Sequence, residues 1–283
     1  MSLSIGYQTA LELLSQHVRP GAQLIDAGAF PGTLTRELAK MWRCIALDID
    51  PDRPCDAQGG FHCDTKSVAR SFAEEMREAG IETRKTDIEC GAWDLPSNSV
   101  DAVVMTEVIE HLYVDPLNAL TEANRVLKPD GVFLVSTPNL TSLRNRISFA
   151  QGRMDRVLQR PFDAFLQKRR LGHYGHVRTY SPAELEGFLV AAGFSVEMHL
   201  FSFLFWEGAT YATGARVGSN SPRGTKMRFL KSPTNYCRAA FATAISVAER
   251  LHEPFRLHMY AIAKKTREVT DLDLARSAPR LVA

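Results

Sequence analysis

Short strand-like segments alternate with segments of helical spacing along the first half of the chain. The segments at residues 23–27 and 99–105 are nearly continuous apolar runs, which are typical of parallel strands buried on both faces. The intervening segments place apolar residues three and four positions apart, as one buried helix face requires. Five strands alternating with helices predict a doubly wound parallel α/β sheet. The strands are predicted at residues 23–27, 43–47, 81–86, 99–105 and 132–136.

A turn containing Gly28 and Gly32 joins the first strand to the helix that follows it. The missing Cβ atoms allow unusual backbone dihedrals or the close approach of a ligand. Asp48 follows the second strand, at the edge where open α/β sheets bind ligands. There the helix N-terminus and the turn amides would face one polar group of an adenosine-bearing ligand, and Asp48 would accept hydrogen bonds from a ribose diol. A plain packing turn explains the two glycines equally well.

Residues 26–32, Asp-Ala-Gly-Ala-Phe-Pro-Gly, resemble the first motif of class I S-adenosylmethionine (SAM) dependent methyltransferases, Asp-x-Gly-x-Gly-x-Gly. Asp48 stands where that family has its ribose-binding acid. Phe30 replaces the middle glycine, so its side chain must point away from the methionine portion of the cofactor or reshape the pocket. Further blocks are similar, in the family's order, to small-molecule and glycan methyltransferases: residues 95–104, 107–111, 125–131 and 137–139.

The resemblance implies that SAM is the cofactor and S-adenosylhomocysteine the product. By the same likeness, the Asp87 carboxylate would take the exocyclic amine of adenine, and the Ile88 amide would meet a ring nitrogen. Thr106 and Glu107 would border the methionine portion. The implied cofactor-binding residues are Asp26, Gly28, Ala29, Phe30, Gly32, Asp48, Ile49, Asp87, Ile88, Thr106 and Glu107.

The implied fold is a Rossmann-like, doubly wound, seven-stranded sheet whose last strand is antiparallel, with insertions after strands 5 and 6. We therefore expect strands six and seven at residues 194–200 and 257–263. The expected organisation is a SAM-binding core at 1–138, a basic cap insertion at 139–180, a core continuation at 181–200, a second insertion at 201–254, the last core strand at 255–265 and a tail at 266–283.

The implied reaction is methyl transfer to an oxygen or nitrogen nucleophile of a small molecule. A hydroxyl acceptor needs a general base, whereas an amine or a carboxylate needs none. The candidate bases are, in order of preference, His173, His176 and His111. Structural hydrogen bonds explain the same histidines equally well.

Positive charge is concentrated in the two insertions. Residues 139–178 hold nine cations and two acids, and residues 215–238 hold six cations and no acid, although the whole chain carries a net charge of only +2. This favours an anionic acceptor, or one presented at a membrane surface, although a solvated basic face explains the charge nearly as well. Nucleic acid also fits the charge but is disfavoured, since no RNA-binding appendage is recognisable. A non-catalytic SAM-binding regulator, suggested by Phe30, is the remaining alternative.

Composition narrows the class of protein further. An apolar fraction of 45% and a charged fraction of 23% are ordinary for a globular protein. Five scattered cysteines predict a reducing compartment, and with no visible secretory signal or transmembrane run we expect a cytoplasmic protein. No metal site is predicted, because Cys55, His62 and Cys63 offer three ligands without a matched fourth. The oligomeric state is left open.

Overall fold

A computed structural model of the chain describes residues 3–49, 54–55, 70–112, 114–153, 175–202 and 257–269. Within these residues one seven-stranded sheet consists of β1 (Gln23–Ala27), β2 (Arg43–Asp48), β3 (Glu82–Lys85), β4 (Val100–Thr106), β5 (Leu127–Pro138), β6 (Phe194–Ser202) and β7 (His258–Lys265). The strands lie in the order β3-β2-β1-β4-β5-β7-β6. The first five are parallel, and β7 is antiparallel to both of its neighbours. The predicted fold class is confirmed.

The helices begin at local capping signals. The Asp115 carboxylate accepts hydrogen bonds from two first-turn amides of α4 (Pro116–Val126), and Ser181 and Glu184 form a reciprocal capping box at the start of α6 (Pro182–Ala191). No helix in the described part of the chain is long and apolar enough to cross a membrane. The helices are α1 (Ile5–His17), α2 (Thr33–Leu38), α3 (Phe72–Glu78), α4 (Pro116–Val126), α5 (Leu143–Ala150) and α6 (Pro182–Ala191).

Two apolar layers cover the sheet, one on each face. Alternate residues of β1 point to opposite faces, so that Leu24 packs in one layer and Ile25 in the other. The first layer includes apolar residues of α1, α2 and α3, and the second includes those of α4 and α6. Helices on both faces leave the carboxyl edge of the parallel strands as the place where ligands of this architecture bind.

Strand β5 differs from its predicted extent of 132–136. Residues 128–131 contain Pro, Asp and Gly, which are typical of a turn, but β5 begins at Leu127. Val100 pairs with Leu127 and Ala102 with Val132, so the polar residues between them form a bulge in the strand. Asp130 takes a positive φ of 61° within this bulge.

The predicted domain boundaries remain predictions, because residues 154–174 and 203–256 of the two basic insertions lie outside the described residues. The start of the predicted tail packs on the core. The Gly193 carbonyl, just after α6, accepts hydrogen bonds from the Thr266 amide (3.1 Å) and the Arg267 amide (3.3 Å). Gly193 has a φ of +86°, and a Cβ there would lie 2.6 Å from the Arg267 carbonyl oxygen.

We predict that Gly193→Ala destabilises the fold by about 2–4 kcal/mol, because left-handed strain and overpacking of backbone atoms add together. Gly80→Ala is the matched control, since Gly80 also has a positive φ (+72°) but open space around its missing Cβ. The control should lose only about 1–2 kcal/mol. Denaturant unfolding of both variants measures the free energy of unfolding. Equal losses in the two variants would show that the clash between the added Cβ at residue 193 and the Arg267 carbonyl is relieved without cost.

Candidate functional site

Two buried acids lie at the carboxyl ends of β1 and β2. Asp26 is 3% exposed and Asp48 is 6% exposed. Burial raises the pKa of Asp26 to about 6; a hydrogen bond from the Thr35 hydroxyl (2.6 Å) opposes this rise and the nearby charge of Asp48 adds to it. Because Thr35 belongs to α2, the Asp26 carboxylate fixes the start of that helix against β1.

The turn between β1 and α2 needs glycine at two positions. Gly28 has a φ of +78°, and a Cβ there would lie 2.7 Å from the Val108 Cγ2 atom. Gly32 has a φ of +80°, and its Cβ would lie 2.5 Å from the Met76 Cε atom. The missing side chain at Gly28 therefore lets this turn touch the loop that follows β4.

The backbone amides of this turn are used within the protein. Those of Gly28 and Ala29 both donate to the Leu47 carbonyl at 3.0 Å, and that of Gly32 donates to the Ala29 carbonyl at 2.7 Å. This corrects the expectation that the turn amides face a ligand, at least for these three residues. Gly28 therefore contributes to the site by having no side chain, which leaves the space that Val108 occupies.

Phe30 packs on the face of the sheet covered by α1, α2 and α3. Its ring meets the Phe72 ring edge-on, with centroids 5.7 Å apart. This packing accounts for the position of an aromatic side chain where the family's motif has glycine.

The loop after β3 is held at the same edge. The Ile88 carbonyl accepts a hydrogen bond from the Asn118 side chain (3.2 Å), whereas the Ile88 amide donates to no group in the described parts of the chain. The Asp87 carboxylate accepts from the Glu89 amide at 3.1 Å. Ile49, just after Asp48, is 54% exposed. The predicted adenine contacts of Asp87 and Ile88 stay predictions.

Glu107 follows Thr106 in a left-handed conformation, with a φ of 55°. Its amide donates to the Ser136 carbonyl (3.0 Å), and its Oε1 accepts from the Ser136 hydroxyl (3.0 Å). Its Oε2 lies 3.3 Å from His258 Nδ1. These contacts on β5 and β7 hold a backbone conformation that costs a non-glycine residue about 1–2 kcal/mol.

Two of the three predicted histidines come together next to Glu107. The rings of His111 and His176 meet edge-on with centroids 4.8 Å apart. His111 Nδ1 lies 2.7 Å from the Gly175 carbonyl oxygen. Although His176 is an exposed residue, desolvation by the protein around its ring lowers its pKa, and the neighbouring His111 adds to this effect. His173 lies outside the described residues, so its predicted role remains untested.

Three further residues at this edge were missing from the candidates predicted from the sequence. Glu110 is fully buried, and its pKa is raised well above the usual value by burial and by the charge of Glu107. Burial also raises the pKa of Tyr7, and the charges of Asp26 and Glu107 raise it further. His258 contacts Glu107 from β7. The spacing of Glu107 and Glu110, three residues apart after a strand, was the available signal for Glu110.

Residues 6–199 match the family described as "Methyltransferase domain". The chain belongs to this family. The match covers β1 to β5, α6 and most of β6, so it includes the edge described above except for His258 on β7. The sequence-based resemblance to SAM-dependent methyltransferases is thereby confirmed.

Curated relatives of this methyltransferase domain match parts of the chain. A Mycolicibacterium smegmatis protein named a probable S-adenosylmethionine-dependent methyltransferase is 44% identical over 103 residues, which are 36% of this chain and 32% of that protein. The ubiquinone biosynthesis O-methyltransferase of Xanthomonas campestris is 30% identical over 123 residues, 43% of this chain and 45% of that protein. The chain thus spans 32% and 45% of the length of these two relatives, less than half in each case.

Solved structures support the fold of the domain. The [4+2]-cyclase SpnF superposes with a TM-score of 0.51 at 17% sequence identity, over 91% of this chain and 80% of that one. A cyclase with this fold illustrates that the fold alone does not fix the reaction. The family match and the named relatives make this a SAM-dependent methyltransferase domain, with SAM as its cofactor.

We predict that Gly28→Ala lowers SAM affinity on the order of tenfold, because the added methyl group overlaps Val108 and displaces the loop that carries Glu107. Gly21→Ala is the control, since Gly21 has a φ of +77° and open space around it. Adding Val108→Ala to Gly28→Ala should restore most of the affinity in a calorimetric titration with SAM. No recovery in the double variant would mean that the turn itself, and not the contact with Val108, determines binding.

Proposed function

We propose that the protein transfers a methyl group from SAM to a hydroxyl oxygen of a small molecule. The observation that carries the proposal is the buried Asp48 carboxylate at the tip of β2, beside a turn that touches the loop after β4. This arrangement offers an acid for a ribose diol, and the contact between Gly28 and Val108 brings the turn and the loop together at the strand tips where a ligand would bind. The residues present therefore fit the cofactor of the family.

Each part of the cofactor has proposed partners among these residues. Asp48 holds the ribose, with Ile49 beside it, while Asp87 and the Ile88 amide hold the adenine. The methionine portion lies near Thr106, Glu107 and the turn of Gly28, Ala29, Phe30 and Gly32. Asp26 positions that turn through its hydrogen bond with Thr35.

SAM supplies an electrophilic methyl group on a positively charged sulfur. Buried carboxylates at the edge of the crevice favour such a cation over a neutral or anionic ligand. The main contribution of the protein is to hold the acceptor and the methyl group close and aligned.

An oxygen acceptor is favoured over nitrogen by the groups beside Glu107. His111 and His176 provide lone pairs where a hydroxyl would have to lose its proton, and the charge of Glu107 lies beside them. The named ubiquinone relative is an O-methyltransferase, which supports the same choice. His173, His176 and His111 remain the proposed candidates for the general base.

An anionic group on the acceptor is proposed from the basic insertions. In the described part of these insertions, Arg178 pairs with Glu184 at 3.0 Å and lies over the Tyr180 ring at 5.3 Å. Arg178 thus makes its contacts within the protein. The proposal of an anionic acceptor depends on the remaining cations of the insertions, most of which lie outside the described residues.

We predict that Asp48→Asn weakens SAM binding about 10- to 100-fold, because a carboxylate holds both ribose hydroxyls more strongly than an amide does. Asp130→Asn is the control, since Asp130 is an exposed acid in the bulge of β5. Isothermal titration with SAM measures both variants. Equal affinity of Asp48→Asn and the unmodified protein would remove Asp48 from the cofactor site.

We predict that incubating the protein with methyl-labelled SAM and a cell extract places the label in the small-molecule fraction. The labelled products should carry a new methyl ether. Mass spectrometry of the labelled fraction identifies the methylated atom. Label in the nucleic-acid fraction would replace the proposal with the nucleic-acid alternative. SAM binding without any transfer would favour the non-catalytic regulator.

A further inference from the structure

Glu110, His111 and His176, here named the Glu–His cluster, converge at the carboxyl edge of the sheet. Each residue offers one ligand atom, and these atoms all lie within 4.8 Å of one another. Two imidazoles and a carboxylate are a common ligand set for divalent transition-metal ions in catalytic sites. The cluster is the one such group found among the residues that the structure describes.

The Glu110 carboxylate is only half satisfied by the protein. Its Oε2 accepts a hydrogen bond from the Thr137 hydroxyl at 2.9 Å, while its Oε1 is buried and has no hydrogen-bond partner within the described chain segments. The residue is 0% exposed. An unpaired buried carboxylate oxygen is costly, and a cation bound beside it would supply the missing partner.

The orientation of His111 suits a metal ligand. The Gly175 carbonyl can only accept a hydrogen bond, so Nδ1, at 2.7 Å, carries the proton and Nε2 carries the lone pair. A backbone carbonyl that holds the second ring nitrogen is the usual support for a metal-binding histidine, because it fixes both the tautomer and the ring plane.

His176 is held beside His111 by backbone hydrogen bonds. The amides of Val177 and Arg178 both donate to the Glu110 carbonyl, at 2.7 and 3.2 Å. The segment that carries His176 is therefore fastened to the short helix Ile109–His111 that carries the other two groups. His176 is exposed, which leaves a path from solvent to the cluster.

We propose that Glu110, His111 and His176 bind a divalent transition-metal ion of the Zn²⁺ type, with at least one coordination position open. Two atoms about 2.1 Å from one ion are at most about 4.2 Å apart, so the cluster would contract by roughly half an ångström on binding. A carboxylate with two imidazoles favours Zn²⁺, Fe²⁺ or Co²⁺ over Ca²⁺, which prefers oxygen ligands only.

The position of the cluster indicates a role for the ion. Val108 contacts Gly28, and the charge of Glu107 acts on Glu110, so the cluster lies next to the loop that meets the Gly28 turn. An acceptor hydroxyl bound to the ion would have a lowered pKa and would release its proton to water before receiving the methyl group. With the ion bound, His111 and His176 would act as its ligands in place of the general-base role proposed for them above. This role rests on the proposed methyl transfer, whereas the metal site itself does not.

The test is a titration of chelator-treated protein with Co²⁺, followed by visible absorption, and with Zn²⁺, followed by calorimetry. We expect one ion per chain. Glu110→Gln, His111→Gln and His176→Gln should each weaken binding at least tenfold. His17→Gln is the control, because His17 ends α1 near Asp101 at the opposite edge of the sheet, and it should leave metal affinity unchanged.

Circular dichroism and binding of S-adenosylhomocysteine establish that each variant is folded. Absence of stoichiometric binding, or unchanged affinity in any one of the three variants, would overturn the proposed ligand set. The two proposals can fail separately. Metal binding with unchanged SAM affinity in Asp48→Asn would reject the cofactor assignment alone, and loss of SAM affinity without metal binding would reject the metal site alone.

Discussion

The candidate site depends on the contact between the turn after β1 and the loop after β4, which is possible because residue 28 has no side chain. Val108 occupies the space that a Cβ at Gly28 would need. Next to Val108, Glu107 takes a left-handed conformation that is held by Ser136 and contacted by His258. The first motif of the chain is thereby packed against the loop that carries Glu107, Glu110 and His111.

Most of the fold could be predicted from the sequence, because its signals are local. Strands β1 and β4 are apolar runs buried on both faces, and the starts of α4 and α6 have side chains that cap them. Strand β5 was predicted too short for a physical reason. Pro, Asp and Gly at residues 129–131 are typical of a turn, but the neighbouring β4 continues to pair across them and converts the turn into a bulge.

The site could be predicted only where it lies within one motif. Gly28 and Asp48 follow directly from the strand, turn and helix pattern. Glu110 and His176 are 66 positions apart in the sequence, and their meeting depends on two amides that bind the Glu110 carbonyl. Tyr7 reaches Asp26 and Glu107 only once α1 has docked. A pattern within one short stretch of sequence cannot predict contacts between residues that are so far apart along the chain.

The hydrogen bonds that the first-turn amides make within the protein limit which nucleotides the crevice can accept. A dinucleotide bound at this topological position needs backbone donors for its pyrophosphate. Here the Gly28 and Ala29 amides donate to the Leu47 carbonyl, and the acids Asp26 and Asp48 lie at the ends of the adjoining strands. A phosphate-bearing redox coenzyme would therefore lack these two donors and meet two carboxylates, whereas the sulfonium and ammonium groups of SAM carry the opposite charge, so that the same strand-turn-helix unit would discriminate between the two ligand classes.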